Sequence, residues 1–272
     1  MRFIPKEIQS NVNISPSSPV KDFFELILKI LGVFLAVYIL LGFAVDYIAP
    51  RISEETELKF GALFISAYED ADKKHPDAEK TVQSILDKLA PQASSLPKFT
   101  YQAHIVKSKA INAGAFPGGH IIIYTGLLKE TRSENELAMV IAHELGHFAH
   151  RDHLRGLGRG LVFLIFSTFL SGTDSSVSRF IANSITKAEM RFSQRQESAA
   201  DAFALELLHK TYSHAAGATD FFEKMSGKDT LPRFLYIFAS HPYTKRRITT
   251  LKNAIAEKGY TIGQKIPLDL PR

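Results

Sequence analysis

Over residues 26–45 the chain reads LILKILGVFLAVYILLGFAV, twenty residues carrying one charge, Lys29. About 20 such residues are needed for a helix to cross a hydrocarbon core of roughly 30 Å, so this run predicts a transmembrane helix. Lys29 sits one turn inside the N-terminal end, where a long side chain snorkels to the headgroups, and Tyr38 and Tyr47 suit the interface. A signal peptide would show a short basic start and an apolar stretch of about 7–15 residues; here a polar tail containing Pro5, Pro16 and Pro19 comes first, and the run is longer. Arg2, Lys6 and Lys21 precede the run, whereas Arg51 and Lys59 follow it, which under the positive-inside rule puts the tail inside and the main domain outside. The expected organisation is a tail over residues 1–22, an anchor over 23–49 and one domain over 50–272.

Composition narrows the chemistry. The 272 residues are 45% hydrophobic and 22% charged, enough for one domain with a full core. There is no cysteine, so disulfides, thiolate nucleophiles and Cys-ligated metals are excluded, and any metal must be held by His and carboxylates. Lys plus Arg number 33 against 28 Asp plus Glu, a formal net charge of +5, without the concentrated positive face of a dedicated nucleic-acid binder. No nucleic-acid partner is expected. The basic stretch Lys245, Arg246, Arg247, Lys252, Lys258 reads as a solvated or headgroup-facing surface.

After the anchor, apolar residues at helical spacing predict helices over 55–74 and 78–89, parted by His75-Pro76-Asp77. Residues 99–106 and 120–124, rich in aromatic and β-branched types, read as two strands around the connection NAGAFPGG. Ser133, with Glu136 three residues on and then Leu137, Val140 and Ile141, is a capping-box start for a helix from 134 to about 150. The apolar run 161–170 is too short to span and is expected as a buried helix in preference to a re-entrant or interfacial element, with further helices over 188–210 and 244–258. The expected fold class is α+β: mainly helical, with a small antiparallel sheet, preceded by one transmembrane helix.

The chemistry concentrates in His143-Glu144-Leu145-Gly146-His147, an HExxH sequence on the capped helix. A spacing of four puts both imidazoles on one face, where they can grip one cation, with Glu144 beside them. This is the arrangement of zinc hydrolases, in which zinc polarises the scissile carbonyl and acidifies a water whose proton the Glu takes and later delivers to the leaving amine. One Zn2+ per chain is expected. It needs a third protein ligand. His153 stands where an HExxHxxGxxH pattern would put one, but His150 replaces the Gly that would turn the chain, so His153 and His150 read as surface or loop residues. Glu197 in QESAADAFALELL is the favoured ligand, with Asp201 one turn later on the same face to support a zinc-bound His.

HELGH, then ESAAD on a later helix, then His241-Pro242, with NAGAFPGGHIIIYTGLL ahead, resembles the integral-membrane and periplasmic zinc peptidases related to the CAAX prenyl endopeptidase and the HtpX heat-shock protease, within the gluzincins. The resemblance covers roughly residues 55–258 and implies a zincin-like zinc metallopeptidase domain. It implies His143, His147 and Glu197 as zinc ligands, Glu144 as general base and acid, and Asp201 as support. It further implies that strand 120–124 is an active-site edge strand, with Asn112 and Ala113 placed to meet a peptide backbone. His241 has three readings: an extra metal ligand that swings away before substrate binds, an oxyanion stabiliser, or a residue fixing the loop before the last helix. Arg247, at the arginine of HPxxxxRI, braces Asp201 or the oxyanion. The implied function is a membrane-anchored zinc endopeptidase acting in quality control on misfolded or misassembled envelope or membrane proteins, with the lipid bilayer as its other partner. The competing reading is a chaperone-like or latent scaffold protein whose zinc site His241 holds shut.

Overall fold

The computed structural model describes residues 18–69, 75–171, 192–226, 241 and 245–270, with the side chains of 67–69 and 163–171 left aside. The chain divides into two units at Ala44 and Val45. Helix α1 (Pro19–Ile48) is 30 residues long, about 45 Å at 1.5 Å per residue, and none of its residues is buried. By length and composition it is a candidate membrane span.

The second unit carries α2 (Glu54–Glu69), α3 (Pro76–Leu89), β1 (Gln102–Val106), β2 (Ala113–Phe116), β3 (His120–Tyr124), α4 (Thr125–Glu130), α5 (Glu134–Ala149), α6 (Asp152–Ser171), α7 (Gln194–Tyr212), α8 (Asp220–Ser226) and α9 (Lys245–Glu257). The mainly helical architecture with a small sheet is the one expected. The expected helix starting at 188 and the buried side chains of the run 161–170 fall largely outside the described residues.

The sheet differs from expectation in two ways. Its order is β1-β3-β2, with β1 parallel and β2 antiparallel to β3, so it is mixed rather than antiparallel. The segment NAGAFPGG holds a strand of its own, β2, although it lacks the β-branched residues that mark strands in sequence. Gly118 and Gly119, with φ of 82° and 89°, turn β2 into β3. The parallel pairing arises because residues 107–112 cross the end of β3 instead of turning back beside β1. Gly126 N donates to Ser108 O (2.8 Å), and a Cβ at Gly126 would lie 2.3 Å from Ala110 O, so only glycine lets the crossover pass this close.

Strand β3 is central and covered on both faces, which explains its unbroken apolar run. Ile121 and Ile123 face the main core with α3, α5 and α7, while Ile122 and Tyr124 pack with Phe64 of α2 and Phe116. Being central, β3 has no free edge, contrary to the expectation that it would be the edge strand. Among the described residues, β2 has no strand partner on its outer side, and its own residues are all buried. Tyr124 N donates to Asn112 O (3.0 Å), and in the alternation of an antiparallel ladder this turns the backbone groups of Ala113 and Ala115 away from β3.

Helix α5 is capped as its sequence predicts, with Glu136 N donating to Ser133 Oγ (3.2 Å), but the Glu136 carboxylate reaches one residue further back, to Arg132 N (2.9 Å). Helix α7 starts with a full capping box between Ser193 and Gln196. The two helices pack through Gly146, where a Cβ would lie 2.9 Å from Ala200 Cα and 3.1 Å from Ala200 O. Gly146→Ala should therefore destabilise the fold by about 1–2 kcal/mol, the overpacking cost outweighing the gain in helix propensity. Thermal unfolding should show a Tm lower by about 3–8 °C; an unchanged or raised Tm would mean that α5 and α7 separate freely.

Candidate metal centre

His143 and His147, one turn apart on α5, direct their Nε2 atoms at a common point, 3.2 Å from each other. From α7, Glu197 Oε2 stands 3.5 Å from His143 Nε2, and Glu197 Oε1 stands 3.6 Å from His147 Nε2. His241 Nδ1 joins them at 3.2 Å from His143 Nε2 and 2.9 Å from Glu197 Oε1. One ligand atom from each of the four buried residues lies within 4.8 Å of the others. A four-coordinate cation bonded at about 2.0–2.1 Å separates its donor atoms by roughly 3.3 Å, so this donor set fits one metal ion.

Each imidazole is held from behind. His143 Nδ1 lies 3.0 Å from Asp201 Oδ1, and His147 Nδ1 lies 3.1 Å from Asp152 Oδ2. A proton donated from His147 Nδ1 to Asp152 leaves its Nε2 lone pair facing inward, and Asp201 stands at ion-pair distance behind His143 to do the same. Phe192 stacks on His147, with ring centroids 3.9 Å apart, and removes its remaining freedom. Arg247 Nε and Nη2 donate to Asp201 (2.7 and 2.6 Å), and Nη1 lies 2.5 Å from Glu197 Oε2. One guanidinium thus orients both Glu197 and Asp201 of α7.

These contacts set the charges. Burial opposes protonation of His143, but the Asp201 and Glu197 carboxylates outweigh it and push its pKa up to about 9. His147 is raised in the same way, against burial, by Asp152 and Glu197. Burial alone would raise Asp201, yet Arg247 and His143 hold it below its ordinary range. Glu197, also buried, is kept ionised by His241, His143 and His147. Glu144 is different. It is buried, neither carboxylate oxygen has a hydrogen-bond partner among the described residues, and its Oε1 lies 3.6 Å from His241 Nε2. A buried carboxylate without partners is costly, which marks Glu144 as a group kept for chemistry.

His143, Glu144, His147, Glu197, Asp201, His241 and Arg247 are all brought together. Asn112 and Ala113 lie at the start of β2, buried, and Asn112 spends its Oδ1 on Ala113 N (3.0 Å). His153 is neither a surface nor a loop residue. Arg151 takes a left-handed conformation (φ 59°) and turns the chain off α5 one residue later than the HExxHxxG pattern would, which places His153 on α6, fully buried. There its Nε2 meets Glu57 Oε1 (2.7 Å), and Glu57 also pairs with Arg151 (2.6 Å). His150, half-buried, closes α5 with its ring on Gly146 O (2.8 Å). Sequence reasoning missed Asp152, the carboxylate behind His147, which also binds Gln196 (2.7 Å) and Arg155 (3.0 Å). Its signal was an acidic residue at the start of the helix following the HExxH turn.

Comparison with known proteins agrees with this geometry. The chain is 31% identical over 165 residues to the mitochondrial metalloendopeptidase OMA1 of Arabidopsis thaliana, covering 59% of this chain and 33% of that protein. It is 26% identical over 185 residues to the metalloprotease LoiP of Escherichia coli, covering 66% and 71%, and 23% identical over 186 residues to the beta-barrel assembly-enhancing protease of that species, covering 63% and 38%. Of the OMA1 proteins it matches in plant, yeast and fish, the chain spans between 33% and 49% of the length. The description "Peptidase family M48" matches residues 76–255, the stretch that carries every side chain of the four-residue cluster, and the chain belongs to that family.

Proposed function

We propose that the chain is a membrane-anchored, zinc-dependent endopeptidase, with residues 23–49 as anchor and 50–272 as peptidase domain. One observation carries this reading: three ligand side chains converge as a tetrahedral cation requires, and the unpartnered carboxylate of Glu144 is buried beside them. His143, His147 and Glu197 hold the zinc, which suits two imidazoles and a carboxylate with an open position. Bound there, zinc supplies Lewis acidity to the scissile carbonyl and to the attacking water. Glu144 takes the proton of that water and returns it to the leaving amine, so no acyl-enzyme forms. Asp201, Asp152 and Arg247 keep the ligands in register. On the outward side of β2, Ala113 O and the backbone groups of Ala115 are the ones with which an extended substrate can pair, Asn112 holding Ala113 N beside them.

The role we assign is quality control of misfolded or misassembled envelope or membrane proteins, for which the name of one relative, a beta-barrel assembly-enhancing protease, is the support; the basic residues flanking the anchor support a domain on the outer side. A second, latent reading rests on His241. Its Nδ1 stands among the ligand atoms, where a catalytic zinc would keep its open position.

Three outcomes test these assignments. Glu144→Gln should retain about one zinc per chain and lose casein cleavage by about 10²–10⁴-fold, the usual range for a general base. His241→Ala should retain zinc and cleave several-fold faster if the side chain is a latch; a fall of about 10²–10³ in kcat would make it an oxyanion stabiliser instead. The third concerns pH. In the metal-free chain the folded-state pKa of His143, raised from 6.5 to about 9, adds stability that is fully present below pH 6.5 and lost as pH rises through 9. The metal-free Tm should therefore fall across that window, while zinc binding displaces protons and tightens. Calorimetric titration in buffers of different ionisation heat measures the protons released; zinc uptake without proton release in this window would rule out His143 as a ligand.

A further inference from the structure

The last turn of α1 and the chain just beyond it lie against the first half of α6. Arg159 Nη2 donates to both carboxylate oxygens of Asp46, at 2.8 Å each. At Gly158 a Cβ would sit 2.7 Å from Val45 Cγ1, so the two backbones meet where no side chain fits. Further on, Arg151 Nη1 donates to Ile52 O (3.1 Å). From Val45 and Asp46 to Ile52 the contacts move back along the other segment from Gly158 and Arg159 to Arg151, so α6 runs antiparallel to Val45–Ile52.

The same short stretch of α6 reaches the metal centre, because Asp152, its first residue, holds His147. Seven residues separate Asp152 from Arg159, about 10 Å of helix. Asp46 is the first charge after the apolar run, so in a membrane-anchored chain the water boundary falls between Asp46 and Arg51. Adding the reach of the side chains, the metal ligands stand within about 20 Å of that boundary whatever the tilt of α6. The stand-off is also braced. Glu57 on α2, fully buried, binds Arg151, His153 and Gly118 N, so the segment leaving the anchor is fixed to the α5–α6 turn and to the β2–β3 hairpin.

We propose that this brace makes the enzyme a short-range ruler: its substrates are polypeptides tethered to the same bilayer, cut within about 20 Å of its surface, roughly six extended residues from where they emerge. The proposal rests on the membrane-anchored peptidase reading above and adds the substrate class to it. A soluble chain in bulk water meets the cleft no more often than diffusion brings it, whereas a juxtamembrane segment is presented at the right height and at high effective concentration.

The test uses the full-length chain, as wild type and as His241→Ala, in vesicles of phosphatidylcholine and phosphatidylglycerol. Three single-span substrates carry the same short unstructured casein segment, set off the membrane by EAAAK-repeat helices of 0, 20 or 40 residues, about 0, 30 and 60 Å. Cleavage should drop at least tenfold from the shortest to the longest spacer in vesicles, and become independent of spacer length in detergent, where the shared bilayer is gone. Equal rates for all three spacers in vesicles, with cleavage intact in detergent, would overturn the ruler and leave the peptidase. Failure to cut any substrate in either medium, free casein included, would overturn the peptidase reading and the ruler with it.

Discussion

The metal centre depends on how closely α5 and α7 approach. The three ligands favoured by the sequence come from two helices, and no single loop can adjust one against the other. Gly146 lies between His143 and His147 and lets Ala200 of α7 come into backbone contact. Ala200 itself lies between Glu197 and Asp201. The two residues that set the helix spacing are therefore embedded one in each motif, and the distances of 3.2–3.6 Å among His143, His147 and Glu197 follow from their contact. The small residues are as much a part of the site as the charged ones.

Close approach of the helices crowds four carboxylates into a buried volume, and the surrounding charges explain which of them stay fixed. Asp201, Glu197 and Asp152 each have a cationic or hydrogen-bonding partner that stabilises the ionised form. Glu144 has none among the described residues beyond the ion-pair distance to His241. Three carboxylates thereby have partners that hold them ionised, and Glu144 is the one that the proposed mechanism uses for proton transfer. Such a separation of environments is how a single site assigns different roles to chemically identical groups.

Much of this was legible in the sequence, because it depends on spacing within a helix. HExxH, the Glu197 and Asp201 pair and the Ser133 cap are all local patterns, and they sit where a 3.6-residue period puts them. The strand β3 was legible from its apolar run, but its central position was not, because that depends on where residues 107–112 cross. Strand β2 was hidden in small residues selected for close packing rather than β propensity. Asp152 and His153 were hidden for a different reason. Their roles depend on Arg151 adopting a conformation that favours glycine, and its strain is offset by the buried partner Glu57, almost a hundred residues earlier. Nothing local to either end signals that pairing.

Glu57 also bears on where the catalytic body begins. The stretch shared with the family starts at residue 76, which suggests a compact module with a dispensable link in front of it. The side-chain contacts place the physical boundary earlier, since a chain cut after Glu57 would leave Arg151 and His153 without their carboxylate and the β2–β3 hairpin without its contact to α2. Helix α2 is the first wall of the enzyme rather than a tether to it. A truncated form that kept the turn after α5 would have to begin upstream of Ser53, which takes the cleavage or cloning point back to the end of α1 itself.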